Sequence, residues 1–172
     1  ELLHKMNFIS PYIELPKKLT VKQNLIVYAK LYNVKNIDKR IEYLSSTLKL
    51  DNFLNSLTGE LSSGQKNRVS LAKSLINNPS VLLLDEPTAS LDPETGNFIR
   101  SFLENYIKQK KISILLASHN MEEVKRLCTS VMMMKNGKII DQGAPSQLIK
   151  KHDRKNLEEV FLKLTREEYE SQ

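Results

Sequence analysis

Apolar positions follow helical spacing over most of the chain and close up into short runs at two places. Thr20-Val-Lys-Gln23 has the pattern of a capping box, and Leu25, Tyr28, Ala29 and Tyr32 follow at helical intervals. Ile41, Leu44 and Leu48 mark a second helix. Ser62 and Ser63 are suited to open a third, carrying Val69, Ala72, Leu75 and Ile76 inward until Asn77-Asn-Pro79 stops it. Asp92-Pro93 pairs a cap with a first-turn proline, ahead of a stripe of Ile99, Phe102, Leu103, Tyr106 and Ile107. Met121, Val124, Leu127 and Cys128 form another amphipathic set, and two short helices close the chain around 147–151 and 157–164. The run 81–84 predicts a strand buried on both faces of a parallel sheet, and 112–117, apolar apart from Ser113, predicts a second buried strand. Residues 131–134 and 139–140 flank Asn136-Gly137, a two-residue hairpin signal. Residues 1–18, with Pro11 and Pro16, read as irregular. Strands alternating with helices predict an α/β fold with a parallel core.

Composition narrows the class. The chain has 172 residues, 40% hydrophobic and 27% charged, which suits one globular domain or a large piece of one and excludes disorder, collagen and coiled-coil arrays. No apolar run approaches the roughly 20 residues that span a bilayer. One cysteine, Cys128, excludes a disulfide framework and fits a reducing compartment. His4, His119 and His152 are too scattered for metal-ligand spacing. The net charge of +6 reads first as lysine-rich solvated faces. Attraction to anionic lipid is the sharper reading; without an arginine-rich run interleaved with aromatics, no nucleic-acid partner is expected. The opening Glu1-Leu-Leu-His-Lys-Met carries neither a signal peptide nor an initiator methionine, and reads as a fragment or a trimmed chain.

Three segments carry chemistry. The apolar run 81–84 ends in Asp85-Glu86-Pro87. Two carboxylates at the carboxyl end of a parallel strand stand where ligands bind and call for a cation; Mg²⁺ held through one carboxylate and phosphates fits, with the other free to orient or deprotonate a water. The same pair could equally cap the next turn. Leu61-Ser62-Ser63-Gly64-Gln65 lies at a helix mouth, where hydroxyls, a glycine and free N–H groups suit an anion or simply serve as an N-cap. His119 follows the second apolar run and reads either as a phosphate or water contact or as a loop residue.

In this order, and with Ser90-Leu-Asp92 between them, these segments resemble the nucleotide-binding domain of ATP-binding-cassette (ABC) proteins, from about residue 19 to 165. Residues 61–65 look like the signature loop, 81–86 like Walker B with its glutamate, 90–92 like the D-loop and His119 like the switch histidine. Leu19-Thr-Val and the 156–165 ending are similar to exporters of the ABC-2 kind. The resemblance implies a P-loop NTPase-like α/β fold, incomplete at its N-terminus, with an α-helical signature subdomain. It also implies a Q-loop region at 1–18, that subdomain at 19–78, a catalytic core at 79–144 and C-terminal helices at 145–172. It implies ATP and Mg²⁺ as cofactors. Asp85 would hold the metal, Glu86 would be general base and His119 would contact the γ-phosphate. Ser62, Gly64 and Gln65 would face a nucleotide held by a second nucleotide-binding domain, and Asp92 would couple the two sites. A transmembrane permease at the inner face of the cell membrane is the other implied partner.

The chain departs from that pattern. Gly59 and Gly64 have the spacing of a P-loop, G-x-x-x-x-G-K-[ST], but Gln65 stands where lysine belongs and no strand precedes Gly59. Ser63 replaces a usual glycine, and Ser10-Pro11 occupies the region of the Q-loop glutamine. The 172-residue chain alone is therefore expected to bind ATP poorly and not to hydrolyse it. An ATPase subunit of an exporter is the leading expectation. A half-site donor without catalysis of its own, and a soluble ABC ATPase acting on ribosomes or DNA, are the competing ones.

Overall fold

The computed structural model of the chain describes residues 2–11, 14–89, 91–110 and 112–166. They divide between Ala117 and Ser118 into two compact units. That division cuts inside the expected 79–144 core and groups the hairpin with the closing helices.

The first unit is built on three parallel strands, β1 (Met6–Ile9), β2 (Val81–Asp85) and β3 (Ser113–Ala117), in the order β1-β2-β3. Their register runs from Met6↔Val81 to Ile9↔Leu84 and from Val81↔Ser113 to Asp85↔Ala117. The α/β class with a parallel sheet is as expected from the sequence; the irregular start at 1–18 is not. A 3₁₀ turn, Leu2–Lys5, leads into β1. Met-Asn-Phe-Ile is too short to show a period, and Asn7 interrupts it. Asn7 is nonetheless buried, because its amide donates to Asn77 Oδ1 at 3.0 Å and to the Lys73 carbonyl at 3.4 Å.

Two strand expectations also need correction. On β2, only Leu82 and Leu84 are fully buried, while Val81 and Leu83 are half-buried. β3 has a single hydrogen-bonded neighbour among the described residues, and Leu115 in its middle is 58% exposed. An apolar run shows that a strand forms there but not how many sides of it are covered.

Helices α1 (Val21–Leu31), α2 (Ile37–Leu48) and α3 (Ser63–Leu75) lie in the connection from β1 to β2, and α4 (Pro93–Lys110) in that from β2 to β3. The capping box on α1 is present: Thr20 Oγ1 accepts from Gln23 N, and Gln23 Oε1 accepts from Thr20 N. Leu25, Ala29, Ile41, Leu44 and Leu48 fill the core between α1, α2 and α3. On α4, Ile99, Leu103 and Tyr106 are buried, and Phe102 stacks on Tyr106 at 5.6 Å. Lys73 of α3 is 6% exposed. Its ammonium donates to the Phe8 carbonyl at 3.0 Å and lies 4.6 Å from the Phe8 ring and 5.4 Å from the Tyr28 ring. Burial lowers its pKa, and the ring faces and carbonyl offset part of the lost hydration.

The chain leaves β2 through Glu86 at φ +49°, in the left-handed region that costs a residue with a Cβ roughly 1–2 kcal/mol. Backbone bonds hold it there: Glu86 N donates to the Ala117 carbonyl at 2.9 Å, and Ala89 N donates to the Glu86 carbonyl at 3.1 Å.

The second unit contains α5 (Met121–Leu127), the antiparallel hairpin β4 (Val131–Lys135) and β5 (Lys138–Gly143), α6 (Pro145–Lys151) and α7 (Leu157–Arg166). Asn136 and Gly137 turn the hairpin with φ of 49° and 74°, the sign that a primed turn requires. Its core is Val124, Met133, Leu148, Leu157 and Val160, with half-buried Cys128 packed against it. Asp141 on β5 accepts from Lys151 Nζ at 2.7 Å and meets His152 Nε2 at 2.6 Å. Lys151 first, then His152, pull the Asp141 carboxyl down to about 2.

Two outcomes follow from these local interactions. At position 86, glycine relieves the left-handed strain that alanine retains, so Glu86→Gly is expected to be more stable than Glu86→Ala by about 1 kcal/mol in denaturant unfolding. Asp141 has a depressed pKa in the folded state, so its contribution is present above roughly pH 4, the unfolded value, and is lost as pH falls toward 2. Melting curves between pH 5 and 2 should therefore show a stability gap between the native chain and Asp141→Asn that closes on acidification.

Candidate functional site

Parallel pairing carries β2 to the middle of its sheet and delivers Asp85 at its carboxyl end, with Glu86 one residue beyond. Both are half-buried. Beside them, the end of β1 adds a group that the sequence placed only in a loop: Ser10 Oγ donates to Asp85 Oδ2 at 3.1 Å. The register explains the meeting, because Ile9 pairs with Leu84 and the next residues along are Ser10 and Asp85. Recognising β1 in the sequence would have revealed it.

Ser62 is the N-cap of α3, with φ −65° and ψ 164°. Its hydroxyl accepts from Gln65 N at 3.3 Å, and Gln65 Oε1 accepts from Ser62 N at 2.9 Å. The expected cap is thus a reciprocal capping box, in which Gln65 is already engaged in stabilising the helix mouth. Gly64 is buried; a Cβ there would come within 3.3 Å of Thr95 Oγ1 and Cγ2, so the absence of a side chain lets α3 approach the start of α4. Asp92 caps that start, accepting from Thr95 N at 2.9 Å, and this bond lowers its pKa. Ser90 lies outside the described residues.

A cavity of about 230 Å³ opens in the first unit, bordered by Ser10, Glu86, Ser63, Lys66, Asn67 and Leu91 among others. It brings Glu86 and the first two turns of α3 to one hollow. Ser62, Gly64, Gln65, Asp85 and Asp92 stand outside its lining. Asn67 was not anticipated from the sequence, where a lone polar residue in a basic helix carries no signal; its amide Nδ2 donates to the Pro87 carbonyl at 2.8 Å.

His119 belongs to the second unit and is exposed, between β3 and α5. Its neighbours are ordered by the cap of α5: Asn120 Oδ1 accepts from Glu123 N at 3.1 Å, and Ser118 Oγ donates to Glu123 Oε2 at 2.7 Å.

The donor set fits one kind of metal binding. Among the described residues no group of three or more His, Cys, Asp and Glu forms a cage. Asp85, a single carboxylate with a hydroxyl beside it, suits Mg²⁺, which takes one or two carboxylates and completes its shell with water and phosphate oxygens.

Known proteins resemble this chain in sequence and in fold. A family model described as ABC transporter matches residues 2–89. The ABC transporter ATP-binding protein NatA of Bacillus subtilis (strain 168) is 37% identical over 147 residues, covering 84% of this chain and 59% of that protein. The Nod factor export ATP-binding protein I of Burkholderia thailandensis is 37% identical over the same length, covering 84% and 48%. The chain thus spans about half to three-fifths of the length of these relatives. Among solved structures, an ATP-binding subunit of an ABC transporter superposes with a TM-score of 0.81 at 25% identity, covering 94% of this chain and 69% of that one. The cbiO1 protein of Clostridium perfringens, part of the ABC transporter complex cbiONQ, superposes with a TM-score of 0.73 at 31% identity, covering 88% and 61%. A family-model match over half of the sequence, with a relative 37% identical over 84% of it, shows that the chain belongs to the ABC transporter family.

Proposed function

We propose that the chain is the ATP-hydrolysing part of an exporter's ATPase subunit, working as a dimer at the cytoplasmic face of a membrane beside a separate permease. The observation that carries this reading is the Asp85-Glu86 pair at the carboxyl end of the central parallel strand, in a chain of this family. The names of its relatives, Nod factor export among them, support the direction of transport. No described helix is long and apolar enough to cross a membrane.

In this reading each residue has one task. Asp85, oriented by the Ser10 hydroxyl, would hold Mg²⁺. Bound there, the metal would supply positive charge against the phosphates. Glu86 takes a proton from the attacking water, and its rigid turn fixes where the carboxylate starts. His119 meets the γ-phosphate. Ser62 and Gly64, at the mouth of α3, face a nucleotide held by the partner subunit, with Gln65 keeping that mouth in shape. Asp92 links the two sites through the α4 cap. Phosphoryl transfer depends on positioning and charge stabilisation, and each of these groups supplies one or the other.

The mouth of α3 is fully formed, with Ser62 as N-cap and Gln65 closing the capping box. The chain is therefore suited to lend that mouth to an intact subunit. Mixed with an intact ABC ATPase of the NatA kind, it is expected to change the steady-state rate of phosphate release severalfold, and Ser62→Arg to abolish the change. A rate that ignores the native chain, or the same effect from the Ser62→Arg chain, contradicts the reading.

A further inference from the structure

Helix α3 does more in this chain than present its first turn. Gly64 and Asn67 are three residues apart and share one face, and that face rests on the segment that follows β2. Gly64 meets Thr95, and Asn67 reaches the Pro87 carbonyl at 2.8 Å. A carbonyl only accepts, so the Nδ2 end of the amide must face Pro87. The Oδ1 end is then left buried with no hydrogen-bond partner among the described residues.

This is a poor arrangement for stability. A buried acceptor without a partner costs about as much as the bond at the other end of the amide contributes, so a small apolar residue would serve packing as well. What the amide does achieve is local. Pro87 directly follows Glu86, whose left-handed φ persists only if its surroundings hold it. The backbone bonds to Ala117 and from Ala89 hold two points of that turn, and Asn67 holds a third from outside the sheet.

We propose that Asn67 is a positioning residue for Glu86: it pins the Glu86-Pro87 turn to α3, the same helix whose mouth carries Ser62 and Gly64. The role of Glu86 as general base rests on the function proposed above; the pin itself is a property of this chain and is measurable without ATP. Any shift of α3 at its mouth is passed, one turn further along, to the carboxylate on the next strand end.

The test is amide exchange and the HN–Hα coupling of Glu86 in the ¹⁵N-labelled chain, native against Asn67→Ala and Asn67→Asp. Alanine removes both ends of the amide; aspartate keeps the shape and removes the donor. The proposal expects exchange at Glu86 and Ala89 to rise about tenfold and the Glu86 coupling to drift from its left-handed value in both variants, with Leu82, Leu84 and, for Asn67→Ala, the melting temperature nearly unchanged. Unchanged exchange at Glu86 and Ala89 in both variants overturns it. So does uniform acceleration at Leu82 and Leu84, or failure of both variants to fold, because either makes Asn67 an ordinary structural residue. Turnover that does not depend on Glu86 in an intact subunit would instead overturn the functional reading and leave the pin standing.

Discussion

Two adjacent carboxylates at the end of a half-covered central strand are the constraint on which the rest depends. Asp85 cannot retreat, because the register of β2 between β1 and β3 places it at the strand terminus. Glu86 cannot relax, because the chain must turn there in a left-handed conformation to reach Pro87. Ser10 supplies one donor to Asp85. A carboxylate with a hydroxyl beside it suits a hydrated divalent ion, the role proposed for Asp85.

Helix α3 acts as the second fixed body. Its mouth is closed by the Ser62–Gln65 capping box, its first two turns lie against Thr95 and Pro87, and Lys73 near its end is clamped against β1 through Phe8. Three successive contacts tie one helix to the start of α4, the end of β2 and the body of β1.

Much of this was legible in the sequence wherever period, cap or turn chemistry repeats a known physical pattern. The capping boxes at Thr20 and Ser62, the stripe on α4 and the Asn136-Gly137 turn all formed where local rules put them. What escaped depends on contacts between distant segments. β1 is four residues with a buried asparagine in its middle, and it is a strand because Val81 to Leu84 lie beside it. Leu115 reads as core but is exposed, because the number of neighbours on a strand is a tertiary fact. Ser10 and Asn67 acquire roles through partners 75 and 20 residues away, which no local pattern encodes. Asp85, Glu86 and the Ser62 loop could be proposed from the sequence because strand end and helix mouth are local signatures; Ser10 and Asn67, which bond to Asp85 and to the Pro87 carbonyl, could not.

The acidic strand end is open to direct measurement with Mn²⁺ as a paramagnetic stand-in for Mg²⁺. Titrated into the ¹⁵N-labelled chain, it should broaden the amides of Ser10, Glu86 and Ala117 at lower concentration than those around Asp38 or Glu94, and Asp85→Asn should erase that preference. Broadening that begins at the other carboxylates, or that ignores the Asp85 substitution, would contradict the idea that this strand end is built to receive a cation.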